Sequence, residues 1–256
     1  MKIKGKTAVI TGAASGLGAA TARRLHSLGA NVLIADMNEA KGGEVSSELG
    51  SNAVFSKMNV TDTKEIQAGI ELAMNKFKSI DILVNCAGTG FAMRTVGKEG
   101  PHDLEIFKTV INVNLIGTFD AIRQAAFQMQ NNEPDIEGGE RGVIVNTASV
   151  AAFDGQIGQV SYTASKAGIV GMTLPIARDL SIIGVRICTI APGIFDTPLM
   201  QAFTEEGKAS LLHQTQFPKR FGKPDEFAML AQQIIENPVL NGETIRLDGG
   251  IRMGPK

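Results

Sequence analysis

Three side chains near the middle of the chain could form an acid–base site. Tyr162 and Lys166 are four residues apart, and on a helix that spacing places both side chains on one face, about one turn apart. A free phenol has a pKa near ~10 and is a poor base at neutral pH, but a neighbouring ammonium favours the phenolate and lowers that pKa. Ser149 follows an apolar run and could hold a substrate oxygen while Tyr162 transfers the proton. The spacing therefore predicts general acid–base chemistry at a substrate oxygen.

A tyrosine and a lysine at this spacing are also common on helix surfaces, where they have no catalytic role. Two features favour a site here: Tyr162 is the only tyrosine of the chain, and a glycine-rich turn follows the first predicted strand. In this turn Gly12, Gly16 and Gly18 would expose backbone N–H groups to a phosphate and let it approach closely. The spacing is Gly-x-x-x-Gly-x-Gly, and plain packing is the alternative, but the position between strand and helix favours dinucleotide binding.

Asp36 ends the second predicted strand, Asn31–Ala35, and follows Gly16 by 20 residues. At that distance a carboxylate would accept the hydroxyl groups of a ribose and would repel a 2′-phosphate. No arginine or lysine lies directly beside it, and Lys41 is the nearest base in sequence. A solvated turn carboxylate is the alternative. We therefore expect NAD rather than NADP as the cofactor.

Small and polar residues follow further predicted strands. Asn59 and Val60, after the strand Ala53–Met58, would lie beside an adenine or form only a turn. After Asp81–Asn85, the residues Cys86-Ala87-Gly88 would let a flat group lie against the backbone, with Cys86 expected to be a packed thiol rather than a nucleophile.

Asn114 lies within a long predicted helical stretch, Asp103 to about Gln130. An asparagine inside a helix is unfavourable unless its side chain forms a hydrogen bond. Asn114 could hold water or backbone near Lys166, or could mark a structural kink, and the two roles are compatible.

Strands alternate with helices along the whole chain. This pattern predicts an α/β fold: a single Rossmann-type, doubly wound domain over residues 1–256, with about seven parallel strands and helices on both faces. Such sheets bind ligands at the carboxyl ends of their strands. A stretch of mixed polarity at about 193–220 suits a lid over the site. The residues expected to gather at this edge because they directly follow strands are Gly12, Asp36, Asn59, Asn85, Ser149 and Pro192.

Composition excludes several classes of protein. The 256 residues carry a net charge of -1, so no global field attracts nucleic acid or an anionic membrane. The two cysteines show no metal or disulfide spacing, which suits a reducing compartment. No run of ~18 apolar residues indicates a membrane span, and the N-terminus shows no signal peptide, so we expect a cytoplasmic protein. Apolar residues on the predicted helix Ser161–Leu180 exceed one core face. Pro175 inside this helix would cost ~3 kcal/mol or kink it.

Taken together, these motifs resemble the short-chain dehydrogenase/reductase superfamily over essentially the whole chain. The resemblance implies a catalytic tetrad of Asn114, Ser149, Tyr162 and Lys166. Ser149 would orient the substrate oxygen and Tyr162 would transfer the proton. Lys166 would lower the pKa of Tyr162 and bind the nicotinamide ribose, and Asn114 would hold a water in the proton relay. The motifs that carry the resemblance are Thr11–Gly18, Asn85–Gly88, Asn112–Leu115, Ser149, Tyr162-x-x-x-Lys166 and Pro192-Gly193.

The stretches Arg141–Phe153, Gly171–Leu180 and Ile235–Pro238, the insertion Asn131–Arg141 and the tail Ile245–Met253 are similar to one branch of the superfamily. That branch uses NAD to interconvert (S)-3-hydroxyacyl-CoA and 3-oxoacyl-CoA in fatty acid oxidation. The resemblance implies a homotetramer. One departure is that Asn59 replaces the usual aspartate. The residues expected to contact NAD are Gly12, Ser15, Gly16, Leu17, Gly18, Asp36, Asn59, Val60, Asn85, Cys86, Ala87, Gly88, Tyr162, Lys166, Pro192, Gly193, Phe195 and Thr197.

Other functions remain open at this point. A hydroxysteroid dehydrogenase or another secondary alcohol dehydrogenase would need the same tetrad. A 3-oxoacyl-carrier-protein reductase would normally use NADPH, against the expectation from Asp36. A dinucleotide-binding scaffold that senses redox state through partners would need the glycine turn but not the tetrad. No metal ion is expected.

Overall fold

Seven runs rich in β-branched and aliphatic residues form one parallel sheet in the computed structural model, which describes residues 1–134, 138–201 and 203–255. The strand order is β3-β2-β1-β4-β5-β6-β7. The order reverses between β1 and β4, which opens a crevice at the carboxyl ends of these strands. The strands are β1 (Thr7–Thr11), β2 (Asn31–Asp36), β3 (Ala53–Lys57), β4 (Ile82–Asn85), β5 (Gly142–Thr147), β6 (Val185–Pro192) and β7 (Thr244–Leu247).

Helices cover both faces of this sheet, which confirms the predicted doubly wound fold. Successive residues of a strand point to opposite faces, so Val84 packs in one apolar core while Leu83 packs in the other. The first core contains side chains of α1, α2 and α9, and the second those of α3, α5 and α6. The helices are α1 (Gly16–Ser27), α2 (Glu39–Leu49), α3 (Thr63–Phe77), α4 (Leu104–Ile111), α5 (Gly117–Met129), α6 (Val160–Leu180), α7 (Pro198–Gln201), α8 (Glu205–Gln214) and α9 (Pro224–Glu236).

One helical prediction differs from the structure. The long stretch predicted from Asp103 to Gln130 is divided by a π-helical segment, Asn112–Ile116, between α4 and α5. Helix α6 continues through Pro175. Gly171, whose carbonyl loses its helical donor to the proline ring, is exposed, so water can satisfy that carbonyl.

Parts of three predicted segments lie outside the described residues. These are residues 135–137 of the insertion Asn131–Arg141, residue 202 of the lid, and residue 256 of the predicted domain. Among the residues that the structure describes, no helix is both long and apolar enough to cross a membrane.

Candidate active site

The glycine-rich turn packs so tightly that only hydrogen fits at two of its positions. A Cβ atom on Gly12 would lie 2.7 Å from the Ala87 nitrogen, and one on Gly18 would lie 2.2 Å from the Gly12 oxygen. Gly12 also has a φ of +65°, a region that favours glycine. The turn after β1 therefore lies directly against the small residues that follow β4.

We expect Gly18→Ala to disrupt this turn. Its methyl group would collide with the Gly12 carbonyl, so the free energy of unfolding should fall by about 1–3 kcal/mol and NADH binding should weaken. Gly43→Ala is the matched control, because a Cβ there meets nothing within 4 Å and should stabilise α2 by up to ~1 kcal/mol. Urea unfolding and NADH titration measure both effects; equal behaviour of the two variants would contradict the packing argument.

The first turn of α1 is open to an anion. The Ser15 side chain makes no capping hydrogen bond, and no acidic residue lies in the first turn. The first N–H groups of a helix have no partner within the helix, and the helix dipole is positive there. Gly16 also lies close to the lid, since a Cβ on it would be 3.4 Å from Pro198 and 3.5 Å from Thr197. These features fit the pyrophosphate of a dinucleotide.

Asp36 is held in a fixed orientation beside the glycine turn. One carboxylate oxygen accepts a hydrogen bond from the Ala14 nitrogen at 3.0 Å, and the other accepts from the Asn38 nitrogen at 2.9 Å. A carboxylate fixed in this way at the end of β2 fits the ribose of an adenosine.

Asn59 offers less to an adenine than the expectation assumed. Its side-chain oxygen accepts hydrogen bonds from the Thr61 nitrogen at 3.0 Å and the Thr61 hydroxyl at 2.9 Å. The amide nitrogen is therefore the group that it can present as a donor to a ring nitrogen. The side chain of Val60 is buried and lies close to Gly117. Asn59 and Val60 therefore stabilise the turn after β3, in addition to any contact with a ligand.

Two of the predicted catalytic hydroxyls meet at the carboxyl end of β5. Ser149 follows this strand, and its Oγ accepts a hydrogen bond from the Ala151 nitrogen at 3.1 Å. The phenol of Tyr162, in the first turn of α6, lies close enough to Ser149 for the serine hydroxyl to lower the phenol's pKa as a hydrogen-bond partner. The two oxygens can therefore hold one substrate oxygen between them.

Lys166 lies one turn further along α6 and is buried. Its Nζ donates a hydrogen bond to the Thr147 carbonyl oxygen at 2.8 Å and lies 5.8 Å from the ring centre of Tyr162. Burial lowers the pKa of Lys166 to about 8, an effect that the nearby Cys86 thiol partly opposes. The ammonium form therefore still predominates at neutral pH and carries a positive charge beside Tyr162.

The pKa of Tyr162 is raised, not lowered, in the protein without a cofactor. Burial raises the pKa of Tyr162 above its ordinary value of 10.0, and the hydrogen bond with Ser149 lowers it only in part. The cause is that the surrounding protein removes water from the phenol and disfavours the phenolate.

Asn114 is buried in the π-helical segment and holds backbone, which was one of its predicted roles. Its side-chain oxygen accepts from the Thr89 nitrogen at 2.8 Å, and its Nδ2 donates to the Thr89 oxygen at 2.8 Å and the Ser165 hydroxyl at 3.0 Å. It thereby ties the loop after β4 to α6. Gly88 lies between Asn114 and Lys166, because a Cβ on it would be 3.3 Å from the Asn114 oxygen and 3.6 Å from the Lys166 Nζ.

The side chains of three predicted cofactor residues make contacts inside the protein. Asn85 is buried and donates to the Asn146 side-chain oxygen at 3.0 Å. Phe195 is buried within the first core. Cys86 accepts a hydrogen bond from the Thr147 hydroxyl, and burial raises its pKa to about 11, as expected for a packed thiol.

The remaining predicted residues lie at the same edge of the sheet. Gly193 packs so closely on Asp248 that a Cβ would be 2.8 Å from its Cα. The others are Leu17 in the first turn of α1, Ala87 in the loop after β4, Pro192 at the end of β6, and Thr197 beside the glycine turn.

The sequence did not predict that the last residues of the chain pack beside the site. The Ile157 nitrogen donates to the Pro255 oxygen at 3.0 Å, and the Gln156 side chain donates to the Gly254 oxygen at 3.1 Å. The Gly254 nitrogen in turn donates to the side-chain oxygen of Gln214, the last residue of α8, at 2.7 Å. The Gln156–Gly254 bond joins residues 98 positions apart and the Gly254–Gln214 bond residues 40 apart, so no local sequence pattern predicts them. The chain end therefore links the lid to the loop between Ser149 and Tyr162.

An open cavity of about 520 Å³ adjoins this loop, with Arg94 and Val96 on one side and Gln156, Ile157 and Val160 on the other. Within the described ranges, no group of three or more histidine, cysteine or acidic side chains could hold a metal ion.

Comparison with known proteins agrees with this geometry. The family model described as short chain dehydrogenase matches residues 6–208. A 3-hydroxyacyl-CoA dehydrogenase type-2 from Drosophila melanogaster is 54% identical over 255 residues, which cover 99% of this chain and 100% of the relative. The crystal structure of a 3-hydroxyacyl-CoA dehydrogenase type-2 from Mycobacterium avium gives a TM-score of 0.94 at 44% identity and covers 98% of each chain. A 7α-hydroxysteroid dehydrogenase solved with NADH and 7-oxo glycochenodeoxycholic acid gives a TM-score of 0.90 at 28% identity, covering 100% of this chain and 97% of its own.

Proposed function

The chain belongs to the short-chain dehydrogenase family and is an oxidoreductase that acts on CH–OH groups. From that premise we propose that it uses NAD to interconvert (S)-3-hydroxyacyl-CoA and 3-oxoacyl-CoA, as in fatty acid oxidation. The observation that carries the proposal is that the hydroxyls of Ser149 and Tyr162 lie beside each other, with the Lys166 ammonium one turn further along α6. This pair lies at the sheet edge that also carries the glycine turn and Asp36.

The mechanism follows from what these side chains can do. The Ser149 hydroxyl holds the substrate oxygen. In the reductive direction the Tyr162 phenol donates its proton to that oxygen, and in the oxidative direction the Tyr162 phenolate takes the proton back. The positive charge of Lys166 stabilises the phenolate as it forms or accepts that proton. NAD, when bound, accepts the hydride that leaves the carbinol carbon. Asn114 binds both the loop after β4 and helix α6, and it thereby holds Lys166 of the helix beside Gly88 of the loop.

The residues present fit such a cofactor. The open first turn of α1 suits its pyrophosphate, Asp36 suits the adenosine ribose, and the exposed Gly88 provides room beside Lys166. The residues that would hold it are Gly12, Ser15, Gly16, Leu17, Gly18, Asp36, Asn59, Val60, Cys86, Ala87, Gly88, Tyr162, Lys166, Pro192, Gly193 and Thr197, with Asn85 and Phe195 supporting the site from the interior.

The choice of NAD over NADP is expected to depend on Asp36. Asp36→Ala removes a charged acceptor for ribose hydroxyls, so NADH should bind about tenfold more weakly, and the discrimination against NADPH should be lost. Fluorescence titration of both reduced cofactors measures the change, and Asp36→Asn, which keeps one acceptor oxygen for the backbone, is the conservative control. A native protein that binds NADPH more tightly than NADH would contradict this role of Asp36.

The substrate proposal is supported by the likeness of the chain to two proteins named 3-hydroxyacyl-CoA dehydrogenase type-2. The cavity beside Gln156 and Ile157 is open to solvent, which suits a substrate whose carrier group stays outside the site. The experiment is a steady-state assay of the purified protein with acetoacetyl-CoA and NADH. Failure to oxidise NADH with this substrate would overturn the substrate assignment.

A hydroxysteroid dehydrogenase is the second candidate, because the structure is also similar to the 7α-hydroxysteroid dehydrogenase. The apolar side chains Val96, Ile157 and Val160 at the cavity would accept a steroid as well as an acyl chain. Comparing kcat/KM for an acyl-CoA and a hydroxysteroid in one preparation separates the two candidates.

We also propose a homotetramer with a substrate lid at about 193–220. Exposed apolar side chains on α5 and α6, namely Phe119, Phe127 and Leu174, support burial against further copies of the chain. Helices α7 and α8 lie in the lid segment. Light scattering measures the mass of the assembly. The cytoplasmic location stays a prediction.

A further inference from the structure

An ion pair lies next to Asp36. Lys57, at the end of β3, is the register partner of Asp36 on β2. In parallel strands, partners in register project to the same face, and the strands are about 4.8 Å apart. The Lys57 Nζ lies 2.6 Å from an oxygen of Glu39, and these two side chains are 61% and 62% exposed. A cation therefore lies within reach of the ribose edge of the site, but it is paired with a carboxylate.

Glu39 is the first residue of α2, directly after Asn38, which caps this helix. A carboxylate in the first turn of a helix is favourable in itself because of the helix dipole. Stabilisation of α2 is thus one role of Glu39, and it requires no lysine. The contact with Lys57 is a separate observation, and it raises the pKa of Lys57 by a hydrogen bond and by charge attraction.

The other charged groups near this edge are mostly negative. Glu65 also attracts Lys57 electrostatically, while one of its oxygens accepts from the Asn59 nitrogen at 2.6 Å. Lys41 lies on α2 and is exposed. Around Lys57 there are therefore three carboxylates, those of Asp36, Glu39 and Glu65. A 2′-phosphate placed at Asp36 would meet net negative charge.

We propose that Glu39 is a specificity-determining residue for the cofactor, because it holds Lys57 in an ion pair and prevents this lysine from acting as counter-ion to a 2′-phosphate. This inference rests on the proposed use of a nicotinamide dinucleotide with Asp36 at its ribose. Two residues would then discriminate against NADP: Asp36 repels the phosphate directly, and Glu39 withholds a cation at the same edge.

The test is a double-mutant cycle read by cofactor binding rather than by turnover. In Glu39→Gln, the dissociation constant of NADPH should fall about threefold, while that of NADH changes less than about 1.5-fold, a size typical of an exposed ion pair. In the Lys57→Met background, the same change of Glu39 should have no effect on the NADPH-to-NADH ratio. The gain should shrink at high ionic strength because salt screens exposed charges.

Glu44→Gln is the matched control, since Glu44 is an exposed carboxylate on the same helix. An equal gain in this variant, or a gain that persists without Lys57, would show a general charge effect and overturn the proposal. No gain in Glu39→Gln, in a variant whose unfolding temperature is unchanged, would overturn it too. The native preference between NADH and NADPH, measured first, tests the proposed role of Asp36 separately, and the acetoacetyl-CoA assay tests the substrate.

Discussion

Replacing Tyr162 with phenylalanine is expected to lower kcat about 10³-fold, the size of a lost general acid–base group, while NADH binds within about threefold of the native value. The ring is retained, so its packing against Gly90, whose Cβ would lie 3.3 Å from the ring, does not change. What is lost is the hydroxyl that bonds Ser149. Steady-state kinetics with NADH and acetoacetyl-CoA measure the first effect, and fluorescence titration measures the second.

Ser161→Ala is the control for this experiment. It also removes one hydroxyl from the first turn of α6, but the Ser161 oxygen is buried and has no hydrogen-bond partner among the described residues. We expect it to keep nearly native activity. A Tyr162→Phe protein that retained a tenth of native turnover would show that another group moves the proton, and unchanged biological activity would favour the scaffold hypothesis.

The pKa of the same phenol can be read without labels. The chain has one tyrosine and no tryptophan, so the ultraviolet absorption of tyrosinate reports Tyr162 alone. In the protein without cofactor, the pH titration should give a pKa above 10.0, because burial disfavours the phenolate. A value below that of free tyrosine would mean that the Lys166 charge outweighs burial.

Replacing Lys166 with methionine is the second change with a large expected effect. Turnover should fall by about 10² or more, because the phenolate of Tyr162 loses its neighbouring cation. The free energy of unfolding should also depend on pH in a different way in this variant than in the native protein. Burial lowers the pKa of Lys166 from 10.5 to about 8, so between these values the unfolded chain binds the proton that the folded chain has released.

The native free energy of unfolding should therefore rise relative to the variant between pH 8 and 10.5, by about 3 kcal/mol in all. Below pH 8 both states carry the proton, and the difference should be flat. The variant also loses the bond to the Thr147 carbonyl, which shifts the difference by a constant but not its slope. Urea unfolding at several pH values measures it, with the exposed Lys98→Met as control. Parallel curves for native protein and Lys166→Met would contradict a lowered pKa.

The fold and the edge where the site lies could be predicted from the sequence because they rest on local patterns. Alternating strands and helices specify a parallel sheet, and each polar or small residue after a strand lies at its carboxyl end. Asp36 and Ser149 are such residues, and the structure places both at that edge. The spacing of Tyr162 and Lys166 on one helix face is likewise local.

What could not be predicted depends on surroundings that sequence does not show. The direction of the Tyr162 pKa shift is set mainly by how much water remains around the phenol. The partner of Asn114 is Thr89, in the loop after β4 and 25 positions away in the sequence. The pairing of Lys57 with Glu39 across β3 and α2 depends on the register of the strands.

The bonds that the chain end makes to Gln214 and to Ile157 matter for anyone who would redesign the substrate range. A chimaera that imports the lid of a relative but keeps the native last residues would break the link between Gly254 and α8. The imported helix would then lose an anchor, and the last residues, which hold the loop before Tyr162, would no longer be tied to the lid. Lid and chain end should therefore be exchanged as one module.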